Sequence, residues 1–567
     1  MIGAKKNRRI WPIVLIVFII LAVLGYLYWN SIKYRLIRTE ATDQVFEKSK
    51  GLYRMHYDNL NLDEVSGFLQ VTNLRLTPDT SMFSKSIADK TNQPFIFEII
   101  IPELTVRGVK TPEAMLNKNI EGRRLEIKNP QITAYYSSAE KDSTQYGRQR
   151  EIYEQLLGNL NLIRVDSIDI SNANIRMLDF NQGREMVKAD SISIHLLDVF
   201  IDSTHQSDSS RFYFARKTAV QIKKISWQAK NKTYDFAINN LDFNTDAKTF
   251  SIKSFILDPL LSEKDYAKLA KVQKDRLNIR CGNIDVEGID IAALQRGEFT
   301  ANQMKLGSIM LHLSKDLSYP HDGKNRVGTY PQQALMKVPF PLYIKRLIAG
   351  PADIEVKQKN PKSDESGKLQ FRESSIDAVN VTNMPELIKN NNHLKVSART
   401  KFMGLSQVNA EFDLLLKDKA GRFGLKGTAS GFDARGLNVV LEPLGLAKIE
   451  EAKVNQLRFN LKCSDYSGTG TVVLLYENLK IAALKKDSVE QKLEKKKLAS
   501  FISNIILKDA NPAKGKDVRM AHPVFERDPV KSFWNLIWFT LFTGVKETVG
   551  MEKNVKDAPK TESKRKK

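Results

Sequence analysis

Beyond residue 50, apolar residues recur at every second position through segment after segment. Examples are Leu125-Glu126-Ile127, Ile168-Asp169-Ile170, Ile192-Ser193-Ile194, Phe236-Ala237-Ile238, Phe250-Ser251-Ile252, Leu277-Asn278-Ile279, the run from Val408 to Leu414, and Leu457-Arg458-Phe459-Asn460-Leu461. A period of two predicts strands with one apolar and one polar face. Asn129-Pro130, Asn172, Gly282-Asn283 and Ser467-Gly468 punctuate them as turn signals. The expected fold is therefore mainly β, an antiparallel sheet with a few helices at 39–50, 111–118, 149–158, 262–273, 289–296 and 486–507. One looser phrase returns at 125–132, 168–175 and 284–289: alternating apolar and polar residues, then Asn or Gly, then a second apolar position. It reads as a strand, a tight turn or bulge, and a return strand. Its spacing is irregular, which argues against a solenoid and for an elongated, irregularly repeated sheet. The polar stretches 205–210 and 359–368 read as mobile loops or boundaries.

Two segments break this pattern. Residues 10–29 carry no charge and run for 20 residues, enough to cross a hydrocarbon core of about 30 Å. The run is longer than the apolar core of a signal peptide and ends in Tyr28-Trp29-Asn30 without a small-x-small site, so it reads as an uncleaved anchor. Pro12 falls in its first turn, and Trp11 and Trp29 stand at its ends, where indole rings favour the headgroup level. Lys5, Lys6, Arg8 and Arg9 precede it, against Lys33, Arg35 and Arg38 after it. That small excess places the N-terminus in the cytoplasm and the bulk of the chain on the other side. The second segment, 533–545, is as apolar but only 13 residues long. It reads either as an interfacial or re-entrant helix or as a buried helix closing the end of the sheet. In the first case Trp534, Trp538, Phe539 and Phe542 would join Trp11 and Trp29 in contacting a membrane.

The net charge of +23 over 567 residues would suit an anionic surface. Lys and Arg are dispersed among acids, with no recognition helix or RNA-binding aromatic motif, so a nucleic-acid partner is not expected. The tail at 551–567 is basic and suited to anionic headgroups. Cys281 and Cys463 lack the neighbours of a zinc site and are either paired with each other or buried free thiols. The seven histidines are isolated, the glycines of 421–427 lie among strand residues, and no nucleophile elbow occurs. No catalytic residue, metal site or cofactor is predicted.

The residues 62–76, Leu62-Asp63-Glu64-Val65-Ser66-Gly67-Phe68-Leu69-Gln70-Val71-Thr72-Asn73-Leu74-Arg75-Leu76, resemble the opening hairpin of AsmA-like proteins. The unit that follows, Ile101-Pro102-Glu103-Leu104-Thr105-Val106-Arg107-Gly108-Val109, a short helix to Lys118, and Arg124 through Ile132, is similar to that family's strand and helix arrangement. The ending from Asp528-Pro529-Val530-Lys531-Ser532-Phe533-Trp534 to Lys546-Glu547-Thr548 resembles the close of such chains in Bacteroidetes-type bacteria. The resemblance implies an inner-membrane protein whose periplasmic part forms a long β groove, related to bridge-like lipid-transfer proteins. Phospholipid would lie with its acyl chains on the apolar side, in envelope biogenesis or homeostasis, without catalysis.

The expected organisation is a basic head at 1–9, a transmembrane helix at 10–29 and β-rich regions at 30–358 and 369–528 around the loop at 359–368. An interfacial helix at 529–550 and the tail complete it. The candidate groove-lining residues are Ile127, Ile168, Ile170, Ile238, Ile252, Ile279, Phe412, Leu414, Phe459 and Leu461. Membrane lipid is the expected partner, with envelope proteins or a second copy as others. A packed sandwich serving as a protein scaffold is the alternative to a groove.

Overall fold

The computed structural model describes residues 45–47, 49–63, 65–88, 95–109, 119–137, 162–202, 208, 210–486, 493–495 and 507–551. The anchor at 10–29 with Trp11 and Trp29, the basic head, the helices at 111–118 and 149–158, most of the loop at 205–210 and the tail after residue 551 lie outside the described residues. Among the described residues, no helix is long and apolar enough to cross a membrane.

The chain is mainly β and divides into two compact units. The first holds Met1–Leu260, Arg280–Lys305 and Pro339–Pro341, and the second Leu261–Ile279, Leu306–Val338 and Leu342–Lys567. In the first unit the elements are β1 (Tyr53–His56), β2 (Asn59–Asp63), β3 (Phe68–Pro78), α1 (Thr80–Ala88), β4 (Phe95–Arg107), β5 (Asn119–Lys128), β6 (Gln131–Tyr136), β7 (Leu162–Asp179), β8 (Glu185–Ile201), β9 (Ala215–Gln228), β10 (Tyr234–Asn244) and β11 (Thr249–Pro259). Then come α2 (Glu263–Ala270), β12 (Arg276–Glu287), α3 (Ile291–Gln295), β13 (Phe299–Asp316) and α4 (Pro331–Leu335); β12 and β13 contribute residues to both units. The second unit continues with β14 (Leu342–Asn360), β15 (Glu365–Thr382), α5 (Pro385–Asn390), β16 (His393–Phe402), β17 (Ser406–Leu415), β18 (Phe423–Asp433), β19 (Ala447–Cys463), β20 (Ser467–Lys486), β21 (Leu493–Lys495), β22 (Val524–Glu526) and α6 (Phe533–Thr548).

In the first unit, β1 and β2 share β3 as partner, β3 pairs with β4, and β8 to β11 follow as antiparallel neighbours. One parallel junction corrects the all-antiparallel expectation: β5 and β6 both lie antiparallel to β4 and parallel to β7. β5 and β6 are thus one strand interrupted at Asn129-Pro130, because proline withdraws a ladder donor there. In the second unit β14 to β20 are consecutive antiparallel neighbours, and β21 and β22 both join β20.

Of the two forms expected for the repeated phrase, a tight turn or a bulge, the structure has the bulge at 168–175, inside one continuous strand. Residues 168–175 belong to the single strand β7, and Asn172 inside it is left-handed at φ 53°. Asn73, Asn129, Ser191 and Asn240 do the same in or between neighbouring strands, with φ from 48° to 52°. Pairing keeps these residues in line: Thr72 faces Glu103, Glu103 faces Lys128, and Lys128 faces Ser171, just to one side of the break. A seam therefore crosses the sheet, and at it each strand advances one residue without changing face. Leu69 and Val71 are followed by Leu74 and Leu76, and Ile168 and Ile170 by Ala173, all in one core cluster. Strict alternation would send the second half of each strand to the opposite face. Asn tolerates left-handed backbone better than other L-residues, and the Asn172 amide donates to Asn129 Oδ1 at 2.8 Å along the seam. At 284–289 the phrase ends differently, with β12 stopping at Glu287 and Asp290 capping α3.

Other expectations need adjusting. The segment 359–368 is a hairpin, in which Asn360 pairs with Glu365, so the turn is confined to 361–364 and the division into units falls elsewhere. The helix expected at 486–507 is not found where that stretch is described: β20 runs to Lys486, and Leu493–Lys495 pairs back on it. Hydrogen bonding to the free edge of β20 outweighs the helix propensity of Lys, Glu and Leu there. The helices expected at 262–273 and 289–296 form as α2 and α3, with Ser262 and Asp290 as N-caps.

Both cysteines are free and buried. Burial pushes the Cys463 thiol up to about 12 and raises that of Cys281. Since the thiolate is the nucleophile, iodoacetamide at pH 8 is expected to leave both unmodified in the folded chain and to alkylate both in guanidinium. Rapid alkylation of the folded chain would contradict these positions.

Candidate functional site

The predicted groove residues fall into two classes. Ile127, Ile168, Ile170 and Ile252 in the first unit are buried, as are Leu414 and Leu461 in the second. Ile238, Ile279, Phe412 and Phe459 are only half-buried. From β3 to β8, side chains from neighbouring strands seal the apolar face themselves, with Ile127, Ile168 and Ile170 in one cluster with Leu104 and Ile192. On β10 no residue is fully buried, although Phe236, Ile238, Leu241 and Phe243 share its apolar face. Trp227 of β9 stacks on Phe236 at 4.9 Å, one aromatic ring on another, with that face still half open. Ile170→Ala is accordingly expected to cost about 2–5 kcal/mol, and Ile238→Ala about half of that or less, because part of its surface is already wet. Denaturant unfolding of the two variants measures the difference; equal losses would mean that β10 is as closed as β7.

In the second unit the register sets out the apolar face as rows. Leu347, Ala378, Val396, Phe412, Leu425 and Leu461 face one another in turn across β14 to β19. The next row is Ala349, Ile376, Ala398, Ala410, Gly427 and Phe459. Coverage is uneven along both: Leu425, Leu461, Ala378 and Ala349 are buried, Phe412, Val396, Ala398 and Ala410 are half-buried, and Ile376 is 37% exposed.

Helix α6 provides the cover at the end of Leu425 and Leu461. Ser532 caps it by accepting from Asn535 N, and it packs on β20, β22 and β19. Its buried positions are Phe533 at the first turn and then Leu536, Thr540, Gly544 and Thr548, which recur at every fourth residue and, after Leu536, are small or short. A Cβ on Gly544 would meet Val472 Cγ2 at 2.6 Å, and one on Gly468 of β20 would meet Thr540 Oγ1 at 2.2 Å. The hydroxyls of Thr540 and Thr548 donate to the Leu536 and Gly544 carbonyls, so no polar group is stranded. Apart from Phe533, the large aromatics are more exposed: Trp534 is 65% exposed, Trp538 41% and Phe539 37%, while Phe542 is half-buried under the ammonium of Lys546. The inward face fits the reading of a helix that closes the end of the sheet, and the outward face leaves Trp534, Trp538 and Phe539 exposed. Tyr466, Val518, Met520 and Val524, which sequence reasoning did not single out, are also exposed around β22.

A buried ion pair fixes the N-terminal end of α6. Arg527 and Asp465 meet at 2.8 Å with both side chains fully buried. The guanidinium also donates to the carbonyls of Asp465, Arg326 and Lys531 and lies 4.5 Å from the centroid of the Tyr330 ring. Asp465 accepts from Gly328 N and Gln333 Nε2 as well. Tyr330 in turn packs edge-on against Phe423 and Phe533. No sequence signal marked Arg527 or Asp465, since each is a single polar residue with its partner far along the chain.

Polar chemistry is sparse. His195 pairs with Asp169, and His393 with Asp413 at 2.6 Å, as cross-strand pairs on the polar face. A shallow dent lined by His312, Asp353, Ile354, Glu355, Gln370 and Arg372 has no buried nucleophile. Among the described residues, no group of three His, Cys, Asp or Glu side chains could hold a metal ion. No protein-family model matches the chain, and no curated protein is similar to it in sequence.

Proposed function

We propose that this chain is a membrane-anchored, non-catalytic protein that binds or transfers phospholipid along the incompletely covered apolar faces of its strands. On this reading it sits in a bacterial inner membrane through residues 10–29, with its bulk periplasmic, and serves envelope biogenesis or homeostasis, as its resemblance to AsmA-like proteins implies. The observation that carries the proposal is the half-open apolar face of β10 and, on β15 to β17, the half-buried or exposed apolar positions Ile376, Val396, Ala398, Ala410 and Phe412 beside the sealed Ala378, Leu394 and Leu414. Acyl chains need no specific side chain, since each methylene removed from water gains about 0.8 kcal/mol. The outward aromatics of α6 support a second contact with a membrane surface, where Trp is favoured.

A scaffold that binds a protein partner is the second reading, and the sealed core from β3 to β8 favours it for that part of the chain. Lipid extraction separates the two. A chain of residues 39–551, purified without its apolar N-terminal segment, is expected to release phospholipid into organic solvent in stoichiometric amount. A lipid-free protein that gains none from vesicles would overturn the proposal.

A further inference from the structure

The outermost strands of the two units are finished differently. In the second unit β20 is covered along its outer side by separate pieces of chain: β22 at Ser467–Thr469, Ala521 at Val472, Asn511 at Tyr476, Asp509 at Leu479 and β21 at Leu484–Lys486. In the first unit β1 and β2 lie end to end along one side of β3 and, among the described residues, pair with no other strand. The residues leading into β1 pack against α1 and not along β2: a Cβ on Gly51 would meet Met82 Sδ at 3.2 Å. An edge strand is ordinarily blunted by lysine, proline or a bulge. Strand β2 has none of these, since it reads Asn-Leu-Asn-Leu-Asp and pairs with β3 residue for residue from Thr72 to Phe68. Asn59, Asn61 and Asp63 are exposed on one face, and Leu60 and Leu62 are half-buried on the other, at the rim of the first unit's core.

We propose that β2 pairs with β2 of a second copy of this chain, antiparallel about a two-fold axis at Asn61. The strand is complementary to itself in that register, as a two-fold contact requires. Asn61 stands opposite Asn61 of the second copy, amide against amide. Asn59 stands opposite Asp63, an amide donor against a carboxylate acceptor, and Leu60 stands opposite Leu62. No like charges are opposed, and the leucines of the two copies continue one apolar face. A pairing of 5 residues a side is too small to hold a dimer in dilute solution. Two copies confined to one membrane through residues 10–29 meet at a much higher effective concentration, and a two-fold axis normal to the bilayer keeps both anchors in it. To that extent the pairing rests on the membrane-anchor reading.

The full chain in vesicles of phosphatidylethanolamine and phosphatidylglycerol tests it, with flotation reporting the anchor separately. Cys281 and Cys463 are buried, so a cysteine introduced at the surface is the one that reacts. Residues directly opposite in an antiparallel pair lie about 4.5–5.5 Å apart between Cα atoms, within reach of a disulfide. Mild oxidation of Asn61→Cys is expected to give a disulfide-linked dimer, whereas Thr77→Cys, also exposed but on β3, is expected to stay monomeric. Energy transfer between dyes on Thr77→Cys copies gives a second measure. Adding Asn61→Lys to every copy opposes like charges and should lower the associated fraction about fivefold; mixing Asn61→Lys copies with Asn61→Asp copies should restore it. A floating chain in which Asn61→Cys gives no dimer, or no more than Thr77→Cys, would overturn the pairing and leave the anchor and phospholipid readings standing. Energy transfer unchanged by Asn61→Lys would put the contact elsewhere and overturn the pairing as well. A disulfide at Asn61→Cys in a chain that does not float would sustain the pairing and overturn the anchor.

Discussion

Replacing Arg527 with alanine is expected to destabilise the second unit by about 3–5 kcal/mol, the usual cost of leaving a buried charge without its partner. The loss should be at the upper end of that range, because the same guanidinium donates to three carbonyls and rests on the Tyr330 ring. Asp465→Ala should cost a similar amount, since it strands Arg527 and removes the acceptor of Gly328 N and Gln333 Nε2. Arg527→Lys retains the charge but not the planar fork, and should fall between wild type and Arg527→Ala. Denaturant unfolding gives the three values. Proteolysis adds a local readout, because loss of the pair should expose the stretch just before α6 to cleavage. Wild-type stability in Arg527→Ala would show that the pair is balanced by its own desolvation and does not hold the helix.

Legibility differed between the regular and the irregular parts of the chain for physical reasons. Alternation placed the strands well, because each one buries a single face, and Ile168, Leu414 and Leu461 do point into cores. It could not tell Ile170, which is sealed, from Ile238, which is half open, since both present the same local pattern and differ only in what neighbouring strands supply. Asn172 was recognised as an interruption, yet a left-handed residue inside a continuous strand and a turn between two strands share the same residue preferences. Only the alignment of Asn73, Asn129, Asn172 and Asn240 across the sheet separates them. In the hairpin at 360–365, polar composition suggested a loop where long strands simply end in a short turn. Helix α6 could be read in two ways because its mean apolarity is high all round; which residues turn inward depends on the close approach permitted by Gly468 and Gly544. Arg527 and Asp465 left no trace, as a pair 62 residues apart has no local period.

The inverted make-up of α6 leads to the second large effect. In a helix that only closed a sheet, the bulky aromatics would face inward, where burying 150–250 Å² per ring gains most. Here only Phe533 among the aromatics is buried, with Leu536, Thr540 and Gly544 facing the strands, while Trp534, which touches Phe412 by one edge, and Trp538 are 65% and 41% exposed. Trp534→Ser with Trp538→Ser should therefore change folding stability by no more than about 1 kcal/mol. Its effect should appear on a membrane. Withdrawing on the order of 100 Å² of indole surface from water is worth about 2.5 kcal/mol per ring, so losing both should weaken vesicle binding by at least about a hundredfold. Leu536→Ala is the mirror case: it should cost about 2–5 kcal/mol of stability and leave vesicle affinity unchanged at temperatures where the chain stays folded. Co-flotation of residues 39–567 with phosphatidylethanolamine and phosphatidylglycerol vesicles compares the three chains without the N-terminal apolar segment. Equal flotation of the double variant and the wild type would remove the membrane from the account of α6 and make its exposed ridge a site for a protein partner.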